Sequence, residues 1–467
     1  MTNTATKSSV MKSALILVLG AFVAMLDTTM TNIGINTILN DLHSTVNTMQ
    51  WVTTAYVLAL GLTVAFAGWL IDAFSGKKIQ IFALVIFLAG SILSGAANSI
   101  PILLIGRIVQ GIGGGILMSA VSTLSVRLTG GQGLGKMMAV LGLPVLFAPV
   151  LGPTVGGFLI KYWSWHWLFY INVPIIAVAL AMSLLFLPAF EPISKGKPFD
   201  LTGFVLISLI FSGIIISITN YSADNLFESW KVLLPAFVGL DSLIGYIIYA
   251  FKQPNKALLS IKLFSHKTFS ASTILLFISG LMVNGMMFVL PLYLQNIQHL
   301  SVIETGIYLI AQGAGMLVSR ALAGRLTDRY GAKWIVMSSL LISAIATVPF
   351  AFFTAKTSVW LILATLFFLG ISRSGVTIPI MADSYTGLPQ ELISQATVAT
   401  RMAQNIGGAL ATAFLASVIQ SQIGDSIPTT TLLNTAYSHA FVWTIIGTLI
   451  AVIPAFYLSV RSGKEQA

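Results

Sequence analysis

The sequence predicts an all-α integral membrane protein: two six-helix bundles plus an inserted helix pair, fourteen transmembrane helices in all. Three observations carry this expectation. Of 467 residues, 56% are apolar and only 8% charged, against roughly a quarter charged in soluble domains. Apolar runs of about 20 residues, enough to cross a bilayer as a helix, recur along the chain. Finally, a turn written GWLIDAFSGKK at 68–78 returns as GRLTDRYGAK at 324–333, so that Gly68, Leu70, Asp72 and Lys77 recur 256 residues later as Gly324, Leu326, Asp328 and Lys333.

Bounded by glycine, proline or charge, the first six spans are expected at 13–37, 51–71, 79–97, 101–126, 136–160 and 165–187. An inserted pair follows at 200–220 and 231–251, and six more spans at 268–294, 304–326, 334–354, 358–382, 396–420 and 437–460. The chain therefore divides into an N-terminal segment 1–12, a first bundle 13–187, a linker 188–267 carrying the inserted pair, a second bundle 268–460 and a C-terminal segment 461–467. With the N-terminus in the cytoplasm, sixteen lysines and arginines fall inside and three outside. That positive-inside bias places both termini in the cytoplasm and supports an even number of spans. Lys7 and Lys12 precede an apolar run as in a signal peptide, but the run carries Asp27 and many spans follow, so it reads as the first transmembrane helix. The aromatic run YWSWHW at 162–167 then anchors the outer interface.

Composition also excludes functions. The net charge of +10 is scattered singly between apolar runs rather than gathered on one face, which speaks for topology and against nucleic acid. The chain has no cysteine, so disulfides, zinc-thiolate sites and thiol catalysis are excluded. The five histidines show no metal-ligand spacing, and GQGLGK at 131–136 lacks the spacing and context of a phosphate loop. No metal or nucleotide is expected. A membrane-embedded enzyme would need clustered acid-base or nucleophilic groups at one interface, and the scattered histidines do not supply them.

Asp27 lies about fourteen residues into the first helix, roughly 20 Å from its cytoplasmic edge and inside the hydrocarbon layer. Desolvation favours the protonated form of a lone carboxylate, so such a group can load and release a proton as water reaches it from alternating sides. The alternative is a permanently neutral acid hydrogen-bonded to Thr28 or Thr31. Arg107 enters the fourth helix from the outer side to a depth near 10 Å, close enough to meet Asp27 and to favour its ionised form. Snorkelling to outer headgroups is the competing reading. Gln110 and Gly111 at i+3 and i+4 give Arg107 a polar, closely approachable helix face. Gly152, Pro153, Gly156 and Gly157 remove bulk from the fifth helix, and Pro153 removes a backbone donor. Asp72 and Asp328, each ending a helix, are placed to dock on the N-terminal end of a helix in the opposite bundle, forming a breakable latch. Asp241 lies in mid-span of the eighth helix at a depth Ser212 can match, which favours a local hydrogen bond over a second proton site. Arg320 and Arg325 are near enough to the cytoplasm to snorkel; Arg373 and Arg401 are not so easily placed. Asn32, Trp51, Tyr56, Asn284, Met287, Tyr293 and Gln295 suit an apolar, aromatic cavity with sparse polar groups.

These motifs together resemble the fourteen-helix drug:proton antiporters of the major facilitator superfamily, over residues of about 20–460. The two turns are similar to the superfamily signature G-x-L-x-D-x-x-G-x-K. The second copy, with Gly324, Asp328, Arg329, Gly331 and Lys333, matches fully, whereas the first has Ser75 at the glycine position and Ala73 where a basic residue is usual. LLIGRIVQGIGGG at 103–115 resembles the fourth-helix pattern, APVLGPTVGG at 148–157 the antiporter pattern with Ala148 for its first glycine, and LDTTMTN at 26–32 the first-helix pattern. QWVTTAYVLA at 50–59 and WHWLFYINVP at 165–174 are smaller likenesses. The resemblance implies export of lipophilic, cationic drugs or toxic compounds by alternating access, driven by the proton gradient with no cofactor. It implies proton coupling through Asp27 and Arg107, gating by the two turns with a weaker gate at the first, and a leak-sealing bend at the antiporter motif. A monomer in the cell membrane, contacting lipid, substrate and protons, is the expected form. Uptake by symport, or export of a metabolite, peptide or lipid, is the alternative on the same scaffold.

Overall fold

A computed structural model describes residues 7–44, 46–129, 134–193, 198–224, 229–254, 256–300, 302–354, 357–423 and 429–460. Lys195, Lys197, Lys356, Arg461 and Lys464, used above to orient the chain, lie outside these residues. Helices account for nearly all of the described chain, and no strand occurs among the described residues. In order they are α1 (Lys7–Asp41), α2 (Val46–Ala73), α3 (Gly76–Gly95), α4 (Ile100–Thr129), α5 (Leu134–Leu141), α6 (Leu143–Tyr162), α7 (Trp167–Tyr170) and α8 (Asn172–Phe186). There follow α9 (Leu201–Asp224), α10 (Trp230–Lys252), α11 (Lys262–Ser265), α12 (Lys267–Asn296), α13 (Val302–Tyr330), α14 (Ala332–Thr347), α15 (Val359–Asp383), α16 (Ile393–Ile423) and α17 (Thr430–Ala455).

Among the described residues thirteen helices are long and apolar enough to cross a membrane. The fourteenth, expected at 136–160 as one run, is divided between α5 and α6 at Gly142. Pro144, two residues on, has no N–H to continue the ladder of α5, so the helix restarts there.

Helices α1–α8 pack on one another, as do α12–α17. Glycine sets the closeness within each group. A Cβ on Gly113 of α4 would meet the Phe87 backbone nitrogen of α3 at 2.6 Å, and one on Gly370 of α15 would meet the Gln312 carbonyl of α13 at 2.0 Å. Backbones this near leave no room for a side chain. The inserted pair is clasped in the same way, with Gly213 of α9 against Pro235 and Gly239 of α10. Phe211 of α9 fills the place a Cβ on Gly61 of α2 would take, and α9 also touches α16. The outer side of α10 exposes Trp230, Phe237 and Phe251, an apolar surface suited to lipid. Asp241 is exposed on this same helix, and Ser212 instead donates to its own helix, to the Ser208 carbonyl at 2.6 Å. The hydrogen bond anticipated between them is not formed.

Candidate functional site

Asp27 and Arg107 meet inside the first bundle, both fully buried. Arg107 Nη1 donates to Asp27 Oδ2. Asp27 Oδ1 accepts from Gln110 Nε2 at 3.0 Å and from Asn172 Nδ2 at 2.9 Å. The carboxylate is thus gripped from α4 and α8 while standing on α1. Outside this ring, Gln110 Oε1 accepts from Arg107 Nη1 at 2.9 Å and from Ser94 Oγ at 3.1 Å, and Ser91 Oγ accepts from Gln110 Nε2 at 2.9 Å. The Arg107 guanidinium lies 4.2 Å from the centre of the Tyr56 ring and 5.7 Å from that of Phe169. Such faces stabilise a desolvated cation. Thr31 does not touch the carboxyl: its hydroxyl donates to the Asp27 backbone carbonyl at 2.8 Å, and Thr28 donates to the Ala24 carbonyl at 3.0 Å.

Three of the residues expected in a pocket are packed in this structure. Tyr56 is 1% exposed, donates to the Ala24 carbonyl and caps Arg107; it walls the charge pair rather than a cavity. Tyr293 is likewise fully buried, edge-on to Phe350, Tyr437 and Phe441 in the core of the second bundle. Asn284 donates to its own helix at Gly280 and fills the space beside Gly408. Trp51 and Met287 are exposed and Gln295 half-buried, and the Asn32 side chain lies outside the described residues. None of the other six lines either of the two cavities described in this chain.

The residues that sequence reasoning missed at this site are Asn172, Ser91 and Ser94. Asn172 was visible in WHWLFYINVP as a polar residue opening an apolar helix. Nothing in the sequence tied it to α1.

The repeated turns lie at one end of the bundles, here called the Asp72 face. Asp328, ending α13, accepts from the Gly135 and Lys136 backbone N–H groups of α5 at 2.8 and 3.1 Å. A carboxylate from the second bundle therefore sits on the N-terminal turn of a helix of the first. Gly324, one turn before Asp328, lets the backbones touch: a Cβ on Gly135 would meet its carbonyl at 2.3 Å. Asp72 is held differently, paired with Arg127 of α4 and accepting the Ser394 hydroxyl from the first turn of α16. Gly68 beside it faces Val398 of α16. Both turns thus reach across to the other bundle, Asp328 through backbone and Asp72 through a side chain. Gly331, at φ +85°, takes the left-handed backbone that starts α14, a conformation open to glycine. Lys77 donates to the Leu184 carbonyl at 2.8 Å, Lys333 lies over Phe456 and Trp334, and exposed Arg329 lies over Tyr330.

Three further contacts join the bundles toward the same face. Arg320 of α13 does not snorkel: it is 6% exposed and donates to the Ala139 carbonyl, its guanidinium filling the break at Gly142. Arg401 of α16 donates to Ser122 of α4 at 2.7 Å, and Thr123 donates to Thr397 at 3.2 Å. In the antiporter motif, Gly152 packs on Thr29 and Gly156 near Met30 of α1, whereas Gly157 faces open space and so does no packing. Pro153 contributes its missing N–H; its side chain lies outside the described residues.

Helical bundles joined side by side, with a charge pair sealed in one and breakable contacts at one end between them, define a membrane transporter rather than an enzyme. The sequence profile of the Major Facilitator Superfamily matches residues 17–412, so the chain belongs to that superfamily. It is 29% identical over 418 residues to the "Multidrug resistance protein B homolog" of Mycobacterium tuberculosis, covering 89% of this chain and 77% of that one. It is 27% identical to the "Lincomycin resistance protein LmrB" of Bacillus subtilis, covering 96% of each. Among solved structures it resembles the proton:xylose symporter XylE, with TM-score 0.65 and 13% identity over 98% of this chain and 97% of that one. The human organic anion transporter MFSD10 gives TM-score 0.64 and 14% identity over 94% and 99%.

Proposed function

We propose that the chain is a proton-coupled antiporter of the fourteen-helix type that exports lipophilic compounds across the cell membrane by alternating access. One observation carries the reading: a carboxylate, Asp27, is sealed at membrane depth with Arg107, Gln110 and Asn172 as its partners. When the bundles rock and water reaches this site, a proton can take the place of the guanidinium on Asp27; when it closes, Arg107 returns and the proton leaves. The relatives named for multidrug and lincomycin resistance support an exported, drug-like cargo. A cationic cargo, suggested by Asp27 alone, loses that argument where Arg107 already neutralises the acid.

The positive-inside bias makes the Asp72 face cytoplasmic, with both termini on that side. On this reading the contacts of Asp328, Asp72, Arg320 and Arg401 close the inner gate, and both turns act as latches. Each charge moved across 100 mV supplies about 2.3 kcal/mol, more than a tenfold gradient, so no cofactor beyond the proton gradient is needed and a monomer suffices. The test is dye export driven by a pH gradient in everted vesicles. Asp27→Asn is expected to abolish it at wild-type protein levels, and unchanged export removes Asp27 from the coupling.

A further inference from the structure

The register between the bundles that takes Asp72 to Asp328 takes Asp27 to Val283. In the first bundle Asp27 on α1 meets a guanidinium from α4. In the second, Val283 on α12 also meets a guanidinium, that of Arg373 on α15, which donates to the Val283 backbone carbonyl. Arg373 stands at the counterpart of Leu117 rather than of Arg107 and so approaches from the Asp72 face. The outcome is half of the first bundle's site: the cation is present, and a valine stands where the acid would be.

Beside it is a cavity of about 20 Å³ lined by Arg373, Val283, Ser279, Ser343, Thr347 and Thr444 among others, with no Asp or Glu in the lining. Ser279 is 2% exposed, and its hydroxyl has no partner among the described residues. Thr347 and Thr444 already donate to the Ser343 and Ala440 carbonyls. Arg373 lies ten residues from the Asp383 end of α15, about 15 Å into the membrane. Arg373 is half-buried; a guanidinium cannot shed its proton, and a cation at that depth with no acid in its cavity lining is costly. A small cavity, a fixed positive charge and a free hydroxyl donor suit a monatomic anion.

We propose that this cavity binds chloride or an anion of its size as the counterion of Arg373, held also by the Ser279 hydroxyl, in the role Asp27 plays for Arg107. The site is separate from the proton-coupling pair and does not depend on the direction or cargo of transport.

The test is thermal unfolding of the purified full-length protein in sodium chloride against sodium gluconate at equal ionic strength. The midpoint should rise with chloride and saturate, bromide should substitute, and gluconate should not. Arg373→Gln should abolish this response and Ser279→Ala weaken it several-fold. Val283→Asp, which restores the acid internally, should make the midpoint independent of chloride. If Val283→Asp fails to fold, the Arg373 and Ser279 variants decide. Equal wild-type midpoints in the two salts, as a water in the cavity would give, overturn the proposal. So does an Arg373→Gln protein that still responds to chloride as the wild type does.

Discussion

Arg107 in the first bundle has a carboxylate, two aromatic faces and a glutamine around it. Arg373, Arg401 and Arg320 in the second bundle have a backbone carbonyl, a serine hydroxyl and another backbone carbonyl. Charge at the membrane edge is inverted in the same sense: 256 residues after Arg127, which pairs with Asp72, stands Asp383, which accepts the Ser459 N–H at 3.0 Å and its hydroxyl. With an acid in that position, α15 cannot pair with Asp328 there as α4 pairs with Asp72 through Arg127, and Asp328 grips the N-terminus of α5. The turns recur between the bundles, while the buried charges differ. The first bundle keeps an internally neutral pair, to which the proposed function assigns the exchange of a counterion for a proton. Two cations of the second, Arg320 and Arg401, are spent on holding the bundles together.

Breaking the neutral pair from one side should have the largest effect. Arg107→Leu leaves Asp27 buried with Gln110 and Asn172 as neutral donors, and about 3–5 kcal/mol of stability should be lost. Adding Asp27→Asn should restore a good part of this, giving a large coupling in a double-mutant cycle measured by unfolding of the purified protein.

Next in size is the inter-bundle contact of Arg320. A Cβ at Gly142 would lie 1.3 Å from Arg320 Nη2, so Gly142→Ala should expel the guanidinium, at about 1–3 kcal/mol. The chain has no cysteine, so a single Ala139→Cys reporter can be read without background. Its maleimide labelling should rise several-fold in the Gly142→Ala protein.

The two latches should differ. Asp72→Asn takes the partner from Arg127, which is 6% exposed, and should cost about 1–3 kcal/mol. Asp328→Asn weakens the hold on the N-terminal turn of α5, removing the carboxylate's charge and one of the two acceptors of the Gly135 and Lys136 N–H groups, at about 1 kcal/mol. The same unfolding assay ranks them, and an equal loss would break the distinction drawn between the turns. The smallest effect is expected for Tyr293→Phe, whose hydroxyl has one long bond, from Gln298 at 3.3 Å. It should stay within about 0.5 kcal/mol and leave cargo preference unchanged.

The spans were legible because the length of a crossing helix is set by the bilayer and not by its neighbours. The break at Gly142 was missed because an apolar run reads as continuous whether or not Pro144 interrupts its hydrogen bonds. Asp27 and Arg107 were legible as charges at matching depths; Asn172, Ser91 and Ser94 were not, since small polar residues in membrane helices commonly bond their own backbone, as Thr28 does here. Tyr56 and Tyr293 show the limit of reading pockets from residue type: an aromatic with a polar tip suits a ligand cavity and a buried core equally well. Arg127 is one of the sixteen inside charges that orient the chain, and only the fold brings it to Asp72.

The central proposal is that Asp27 exchanges Arg107 for a proton during the transport cycle. Proton flux into a pH-sensitive dye, measured with cargo efflux from proteoliposomes, tests it most directly. The wild type should move protons in step with cargo. Asp27→Asn should retain cargo-for-cargo counterflow and move no protons with it. Proton movement that persists in Asp27→Asn, coupled to cargo as before, would contradict the account.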